Sequence, residues 1–165
     1  MRKFLQNNVN FLAISLLFLV GACGGRIQER KVEHPDAQYH LIIAVIDGQS
    51  SVFKEAVIQT LIEKYQETGA IEVMNVSKAE QITQKQYDVV LLIDRCKAGM
   101  KLNSTFKKLV AELDQKKLVV FITSGDSDWK YNDKGIDAVT SASSKDKTQE
   151  VRQEIAKKID ALLKK

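Results

Sequence analysis

Residues 41–46 read LIIAVI and end at the turn-forming pair Asp47-Gly48. Six consecutive apolar residues without alternation are typical of a strand that is buried on both faces, as in a parallel sheet covered by helices. Two further runs have the same character, DVVLLI at residues 88–93 and LVVFI at residues 118–122. These three runs predict the centre of a parallel sheet.

Helical periodicity separates the predicted strands. Apolar stripes at intervals of three and four predict three helices, with Phe53, Val57 and Leu61, with Phe106, Leu109, Val110 and Leu113, and with Val151, Ile155, Ile159 and Leu162. We expect Ser104 to cap the second helix, and Asp146 with Gln149 to form a capping box at the third. Residues 71–76 and 136–140 predict two more strands. Because the connections are too long for hairpins, we expect a three-layer α/β/α sandwich with a mostly parallel sheet.

The first 22 residues have the features of an export signal. Arg2 and Lys3 precede an uncharged run of ten residues at 11–20, which is too short to span a bilayer. Residues 20–23 (VGAC) resemble the lipobox of bacterial lipoproteins, in which the cysteine is diacylated and becomes the mature N-terminus. The alternative is a plain signal peptide that is cut before Cys23, which would then be an incidental thiol.

The lipoprotein resemblance implies that Cys23 is the lipidation site and that acyl chains anchor the chain in a membrane. Gly24 follows in place of an aspartate, which favours the outer membrane if the host has two. Residues 23–38 then form a lipidated tether, and residues 39–165 form one exported domain. The mature chain carries 23 basic and 21 acidic residues, so its charge does not indicate a nucleic-acid partner.

Any binding site should lie beyond the carboxyl ends of the predicted strands. The segments that follow those strands are 47–51 (DGQSS), 94–97 (DRCK), 124–131 (SGDSDWKY) and 141–144 (SASS). Cys96, between Arg95 and Lys97, would have a lowered pKa if it were exposed. With no histidine or second cysteine nearby, a spare thiol is the simpler interpretation.

Residues 121–131 (FITSGDSDWKY) resemble the flavodoxin segment in which a strand ending in Phe runs into Gly-Asp-Ser and then an aromatic residue. The element order and length of residues 40–165 also resemble those of flavodoxins. The resemblance implies FMN as cofactor, with electron transfer to a redox partner. It implies that Trp129 stacks on the flavin ring, that Gly125 and Asp126 shape the turn, and that Gly48, Ser50 and Ser51 hold the phosphate. Trp129 could equally form a lid over the edge of the sheet.

Residues 137–143 (DAVTSAS) resemble the motif at which a periplasmic flavin transferase attaches FMN through a phosphoester. That resemblance implies Ser143 as the attachment residue. The alternative makes Ala138 and Val139 strand core and the serines a turn into the last helix. We favour the alternative, because the transferase motif belongs to other kinds of domain and short motifs recur by chance.

Two features favour a different function. Asp47 places a negative charge where flavodoxins carry a neutral hydroxyl or a glycine, and residues 94–100 (DRCKAGM) contain no aromatic. These departures support a competing hypothesis, in which the flavodoxin-like scaffold has lost its cofactor and serves as a binding or assembly module at the cell envelope, whereas FMN-dependent electron transfer is the leading hypothesis. The fold class alone does not decide between the two functions.

Overall fold

The computed structural model describes residues 25–46, 48–97, 101–126, 128–131, 136–142 and 147–164. Its strands are β1 (Arg30–Val32), β2 (His40–Val45), β3 (Ala70–Asn75), β4 (Val89–Arg95), β5 (Leu118–Ser124) and β6 (Ala138–Ala142). Its helices are α1 (Val52–Tyr65), α2 (Glu80–Thr83), α3 (Ser104–Glu112) and α4 (Thr148–Leu163), with a 3-10 turn at Gln115–Lys117. None of the described helices is long and apolar enough to span a membrane.

The strands form one sheet in the order β1-β3-β2-β4-β5-β6. β2 pairs in parallel with β3 and β4, and the parallel pairing continues through β5 to β6. Counted from β2, the five parallel strands have the order 2-1-3-4-5, which is the flavodoxin-like doubly wound topology. The predicted α/β class with a mostly parallel sheet is therefore confirmed. The strand order reverses between β2 and β4, and this reversal defines the switch point of the sheet.

Helices cover both faces of the sheet, as the unbroken apolar strands require. Leu41, Ile43 and Val45 of β2 pack in one core with α1 and α4, whereas Ile42 and Ala44 pack in the other with α2 and α3. Residues 41–45 are fully buried. Alternate residues of a strand point to opposite faces, so a strand covered twice must be apolar at every position.

The N-terminal segment differs from the predicted tether. β1 pairs antiparallel with β3, with Arg30 opposite Val73 and Val32 opposite Ile71. Ile27 is 2% exposed and belongs to the core beneath α1 and α4. Without β1, the outer hydrogen-bonding groups of β3 would form an open sheet edge. Residues 25–32 are therefore part of the domain rather than of the predicted tether at residues 23–38.

Two element ends differ slightly from the sequence-based expectation. Asn103, rather than Ser104, caps α3, because its side chain accepts a hydrogen bond from the Thr105 N–H at 2.9 Å. The last strand lies at Ala138–Ala142, two residues later than expected. Asp146 of the expected capping box lies outside the described residues.

Candidate functional site

The loops after β2, β4 and β5 meet at the carboxyl edge of the sheet, around the switch point. The Ile46 N–H donates to the main-chain oxygen of Ile93 at 2.8 Å, and the Cys96 N–H donates to Thr123 at 2.8 Å. Neighbouring loops are thereby joined at their bases. Gly48, Ser50 and Ser51 lie on the β2 loop, whereas Gly125, Asp126 and Trp129 lie on the β5 loop. β4 separates the two groups, so they face each other across one intervening strand.

Gly48 has a conformation that favours glycine. Its φ is +62°, and a Cβ at this position would lie 3.3 Å from Asn75 Oδ1. The main-chain oxygen of Gly48 accepts from the Ile27 N–H at 2.9 Å, and Asn75 Nδ2 donates to the oxygen of Ile27 at 2.8 Å. Gly48 therefore serves to hold the β2 loop against β3 and the N-terminal segment.

Both serine hydroxyls of the β2 loop bind groups of the protein itself. Ser51 is the N-cap of α1, and its Oγ accepts from the Lys54 N–H at 3.1 Å. The Ser50 hydroxyl donates to Glu55 Oε1 at 3.2 Å, and the Ser50 N–H donates to the oxygen of Gly25 at 2.8 Å. The β2 loop therefore caps α1, and the segment from Gly25 to Ile27 packs over the loop.

The residues present do not fit the phosphate of an FMN. The Glu55 carboxylate lies in the first turn of α1, where a phosphate would bind to the helix N-terminus. The negative charges of a phosphate and of the Glu55 carboxylate would repel each other there. Arg30 forms an ion pair with the Glu55 carboxylate. The backbone of Arg26 forms an isolated antiparallel β-bridge with Gln49 of the same loop. A phosphate would have to displace these protein contacts.

Lys54 and Glu55 are residues that the sequence analysis did not single out. Lys54 is 3% exposed, and its Nζ donates to the main-chain oxygen of Gln49 at 3.1 Å. This hydrogen bond from the Lys54 ammonium group stabilises the conformation of the β2 loop. The sequence pattern that could have indicated these two residues is the N-cap, because a serine followed by charged residues in the first turn is typical of a helix start.

The loop after β5 forms a turn at Gly125 and Asp126, both of which are exposed. The Ser124 hydroxyl donates to the main-chain oxygen of Asp126, and Asp126 Oδ1 accepts from the Asp128 N–H at 2.9 Å. A Cβ at Gly125 would meet no atom within 4 Å. The loop therefore leaves open space above the sheet beside Gly125.

Trp129 is half-buried and packs against the core beneath α2 and α3. Its neighbour Tyr131 lies edge-on to Phe106 of α3, with ring centroids 6.0 Å apart. Both aromatic side chains therefore pack partly against the protein itself. The stacking of Trp129 on a flavin stays a prediction.

The end of β4 carries a buried carboxylate, and the loop after β4 begins with the Cys96 thiol. Asp94 is fully buried, and its Oδ2 accepts from the Asn103 N–H at 3.1 Å at the start of α3. Cys96 is only half-buried, yet burial and the charge of Asp94 raise the pKa of its thiol. The lowered pKa expected for an exposed Cys96 does not arise, and the thiol is a weak nucleophile at neutral pH.

Three of the residues predicted from the sequence lie outside the described residues: Cys23, Asp47 and Ser143. Lipidation, the charge at the β2 loop and covalent flavin attachment therefore stay predictions. Among the residues that the structure does describe, no cluster of three or more His, Cys, Asp or Glu side chains could hold a metal ion.

Two cavities lie away from the carboxyl edge. A groove of about 560 Å³ between α1 and α4 is lined by Lys64, Arg152 and Asp160, among others. A cavity of about 640 Å³ lies at the amino ends of the strands, beside His40 and Asp88. Neither contains a residue of the predicted flavin site.

The chain resembles known proteins in structure only. No protein-family model matches it, and no curated protein is similar to it in sequence. Oxidised flavodoxin 1 from Bacillus cereus is 13% identical, with a TM-score of 0.44, and the match covers 73% of this chain and 97% of the flavodoxin. Flavodoxin 2 from the same organism is 13% identical, with a TM-score of 0.46 and coverage of 74% and 98%.

A lysine decarboxylase from Francisella novicida is 12% identical, with a TM-score of 0.46, but the match covers 75% of this chain and only 17% of the enzyme. Similarity of this degree carries no argument about function. The flavodoxin-like class rests on the strand order of the sheet.

Proposed function

We propose that this chain is a lipoprotein of the cell envelope whose flavodoxin-like domain serves as a binding or assembly module without a flavin. Acyl chains on Cys23 anchor it, in the outer membrane if the host has two membranes. The exported domain then acts outside the cytoplasm on a protein or lipid partner. Its near-neutral charge makes nucleic acid an unsuitable partner.

The observation that carries this proposal is the occupation of the β2 loop by the protein's own N-terminal segment. The loop binds Gly25 and Ile27 through main-chain hydrogen bonds, and its Ser50 hydroxyl binds Glu55. In a flavodoxin-like sheet this is the place where a cofactor phosphate would be held. In this chain the Ser50 N–H and hydroxyl already donate to Gly25 and Glu55, so the Glu55 carboxylate lies next to these donors.

The competing function is FMN-dependent electron transfer, and one observation favours it. The β5 loop stays open beside Gly125, next to the switch point at which ligands of this topology bind. A flavin there would use Gly48, Ser50 and Ser51 for its phosphate and Gly125, Asp126 and Trp129 around its ring. Covalent attachment at Ser143 would be a second route to a bound flavin.

The test is a visible absorption spectrum of the mature chain, purified from a host that can lipidate and flavinylate it, before and after acid precipitation. We expect no flavin in the supernatant or in the pellet, even after FMN is added. Flavin released into the supernatant would establish a non-covalent site and overturn the proposal. Flavin retained in the pellet would point to Ser143 and overturn it equally.

Glu55→Gln tests the reason for the missing phosphate site. We expect no FMN uptake by this variant, because residues 25–27 still cover the β2 loop. Glu63→Gln is the matched control, since Glu63 lies on the same helix and binds only Gln59 in the described contacts. FMN uptake by Glu55→Gln alone would mean that a single charge blocks an otherwise complete flavin site.

Cys23→Ser tests the anchor. We expect the wild-type chain in the membrane fraction and the Cys23→Ser chain in the soluble fraction of the same host. A wild-type chain that stays soluble after export would refute the lipoprotein part of the proposal.

A further inference from the structure

We propose that the carboxyl edge of the sheet lies against the membrane surface, with Trp129 at the level of the lipid headgroups. The partner of this edge is then the lipid bilayer. The inference rests on the lipidation of Cys23, which is part of the proposed function.

The described part of the chain begins at Gly25, which contacts the β2 loop. The main-chain oxygen of Gly25 accepts a hydrogen bond from the Ser50 N–H at 2.8 Å. The backbone of Arg26 forms an isolated antiparallel β-bridge with Gln49. Gly25 is therefore held on the β2 loop, at the carboxyl edge and beside the switch point. Ile27, which is 2% exposed, fixes the same segment in the core.

Only a short length of chain separates Gly25 from the lipidated cysteine. Cys23 precedes Gly25 by two residues. Consecutive Cα atoms lie about 3.8 Å apart, so the backbone of the acylated cysteine is within about 8 Å of Gly25. The acyl chains insert into the bilayer directly from that cysteine. The β2 loop is therefore held close to the membrane surface.

The opposite edge of the sheet, at the amino ends of the strands, lies farther from the lipid anchor. The central strands are six or seven residues long, and at about 3.3 Å per residue they separate the two edges by about 20 Å. His40 and Tyr87 lie at the amino ends of the strands. Because the backbone of the acylated cysteine lies within about 8 Å of Gly25, the amino edge cannot reach the bilayer without drawing the carboxyl edge close to it as well.

The side chains of the carboxyl edge suit a lipid surface. In the described parts of the β2, β4 and β5 loops and the N-terminal segment beside them, the exposed cations are Arg26, Arg95, Lys97, Lys101 and Lys130, against the exposed carboxylates Glu29, Asp126 and Asp128. Anionic headgroups attract such an excess of Lys and Arg. Trp129, half-buried at the same edge, is the residue type that concentrates at membrane interfaces.

Fluorescence tests this orientation directly, because Trp129 is the only tryptophan in the chain. The lipidated full chain is reconstituted in vesicles of phosphatidylethanolamine and phosphatidylglycerol, with or without a phospholipid that carries a nitroxide on its headgroup. We expect Trp129 to lose most of its emission in the nitroxide vesicles. Unchanged emission from vesicle-bound protein would overturn the proposed orientation.

A matched variant carries its tryptophan at the opposite edge. Trp129→Phe combined with Tyr87→Trp moves the fluorophore to the amino ends of the strands, where Lys117 Nζ lies 5.6 Å from the ring centroid of Tyr87. We expect the same nitroxide lipid to leave the emission of this variant unchanged. Quenching of this variant, with Trp129 unquenched in the wild type, would invert the orientation and refute the proposal.

Flotation of the vesicles separates the two ways of failing. A wild-type chain that does not float with the vesicles lacks its anchor, which overturns both the lipoprotein assignment and the orientation. A chain that floats but keeps its Trp129 emission retains the anchor and refutes the orientation alone. Cys23→Ser provides the reference for protein that stays in solution.

Discussion

The phenol oxygen of Tyr65 on α1 lies 2.7 Å from Asp160 Oδ1 on α4 and 3.1 Å from the main-chain oxygen of Ala156. Lys64 Nζ approaches the other carboxylate oxygen of Asp160 at 2.6 Å. Burial and the neighbouring Asp160 raise the pKa of Tyr65, so the phenol stays a hydrogen-bond donor. A single buried side chain thereby joins the two helices that cover one face of the sheet.

We predict that Tyr65→Phe lowers the free energy of unfolding by about 1–3 kcal/mol, since the variant lacks the one buried O–H donor that Asp160 and the main-chain oxygen of Ala156 share. Urea unfolding of the wild type and the variant measures this difference. Tyr39→Phe is the control, because the Tyr39 hydroxyl contacts Thr68 Oγ1 and the main-chain oxygen of Tyr65, but Tyr39 is only half-buried and the loss of its hydroxyl should cost less. An equal loss in both variants would contradict the importance of the Tyr65 contact.

The same carboxylate predicts a dependence of stability on pH. Burial alone would raise the pKa of Asp160, but hydrogen bonds from Lys64 and Tyr65 and the charge of Lys164 outweigh burial and lower it. A carboxyl whose pKa is lower in the folded state stabilises the fold above its ordinary pKa of about 3.9. That contribution disappears as the pH falls through the folded pKa.

Asp160→Asn should therefore cost stability at pH 7 and cost less at pH 3, when unfolding free energies of wild type and variant are compared. Asp126→Asn is the control, because Asp126 is exposed and its described contacts stay within its own turn. A difference between wild type and Asp160→Asn that stays constant from pH 7 to pH 3 would contradict this assignment.

The centre of the fold could be predicted because burial on both faces leaves a pattern that few other elements share. The apolar runs at residues 41–46, 88–93 and 118–122 correspond to β2, β4 and β5. The helical stripes were equally visible, since one face of each helix must be apolar. The parallel pairing followed from the length of the connections, whereas the order of the strands is known only from the structure.

The N-terminal strand could not be predicted, because its cause lies elsewhere in the chain. β1 has only three residues, and it forms because β3 offers an unpaired edge. The burial of Ile27 depends on the same long-range pairing. For the same reason nothing in the sequence indicated that the donors of the β2 loop are already used. In the structure the Ser50 N–H and hydroxyl donate to Gly25 and Glu55.

The N-terminal segment should contribute measurably to stability. We predict that Ile27→Ala lowers the free energy of unfolding by about 2–5 kcal/mol, as expected for truncating a buried Ile. Val52→Ala is the matched control, because Val52 is 73% exposed and its truncation should change stability by less than about 0.5 kcal/mol. If Ile27→Ala behaved like Val52→Ala in urea unfolding, residues 25–32 would be a tether after all.

Gly69 and Gly125 form a second matched pair. A Cβ at Gly69 would lie 2.0 Å from Cε2 of Tyr39, and the Tyr39 ring packs edge-on against Tyr65 at 6.2 Å. Gly69→Ala must therefore displace this ring, and we predict a loss of about 1–3 kcal/mol, as for other overpacked sites. Thermal and urea unfolding of the purified domain measure the loss.

At Gly125 the same substitution meets no atom within 4 Å, and the backbone is not in the left-handed region. Gly125→Ala should therefore leave stability unchanged or raise it by about 0.4–1 kcal/mol, because alanine restricts the unfolded chain. A large loss at Gly125 would mean that the β5 loop packs more tightly than its open surroundings indicate. Equal effects at both glycines would show that the contact between Gly69 and Tyr39 does not control the end of α1.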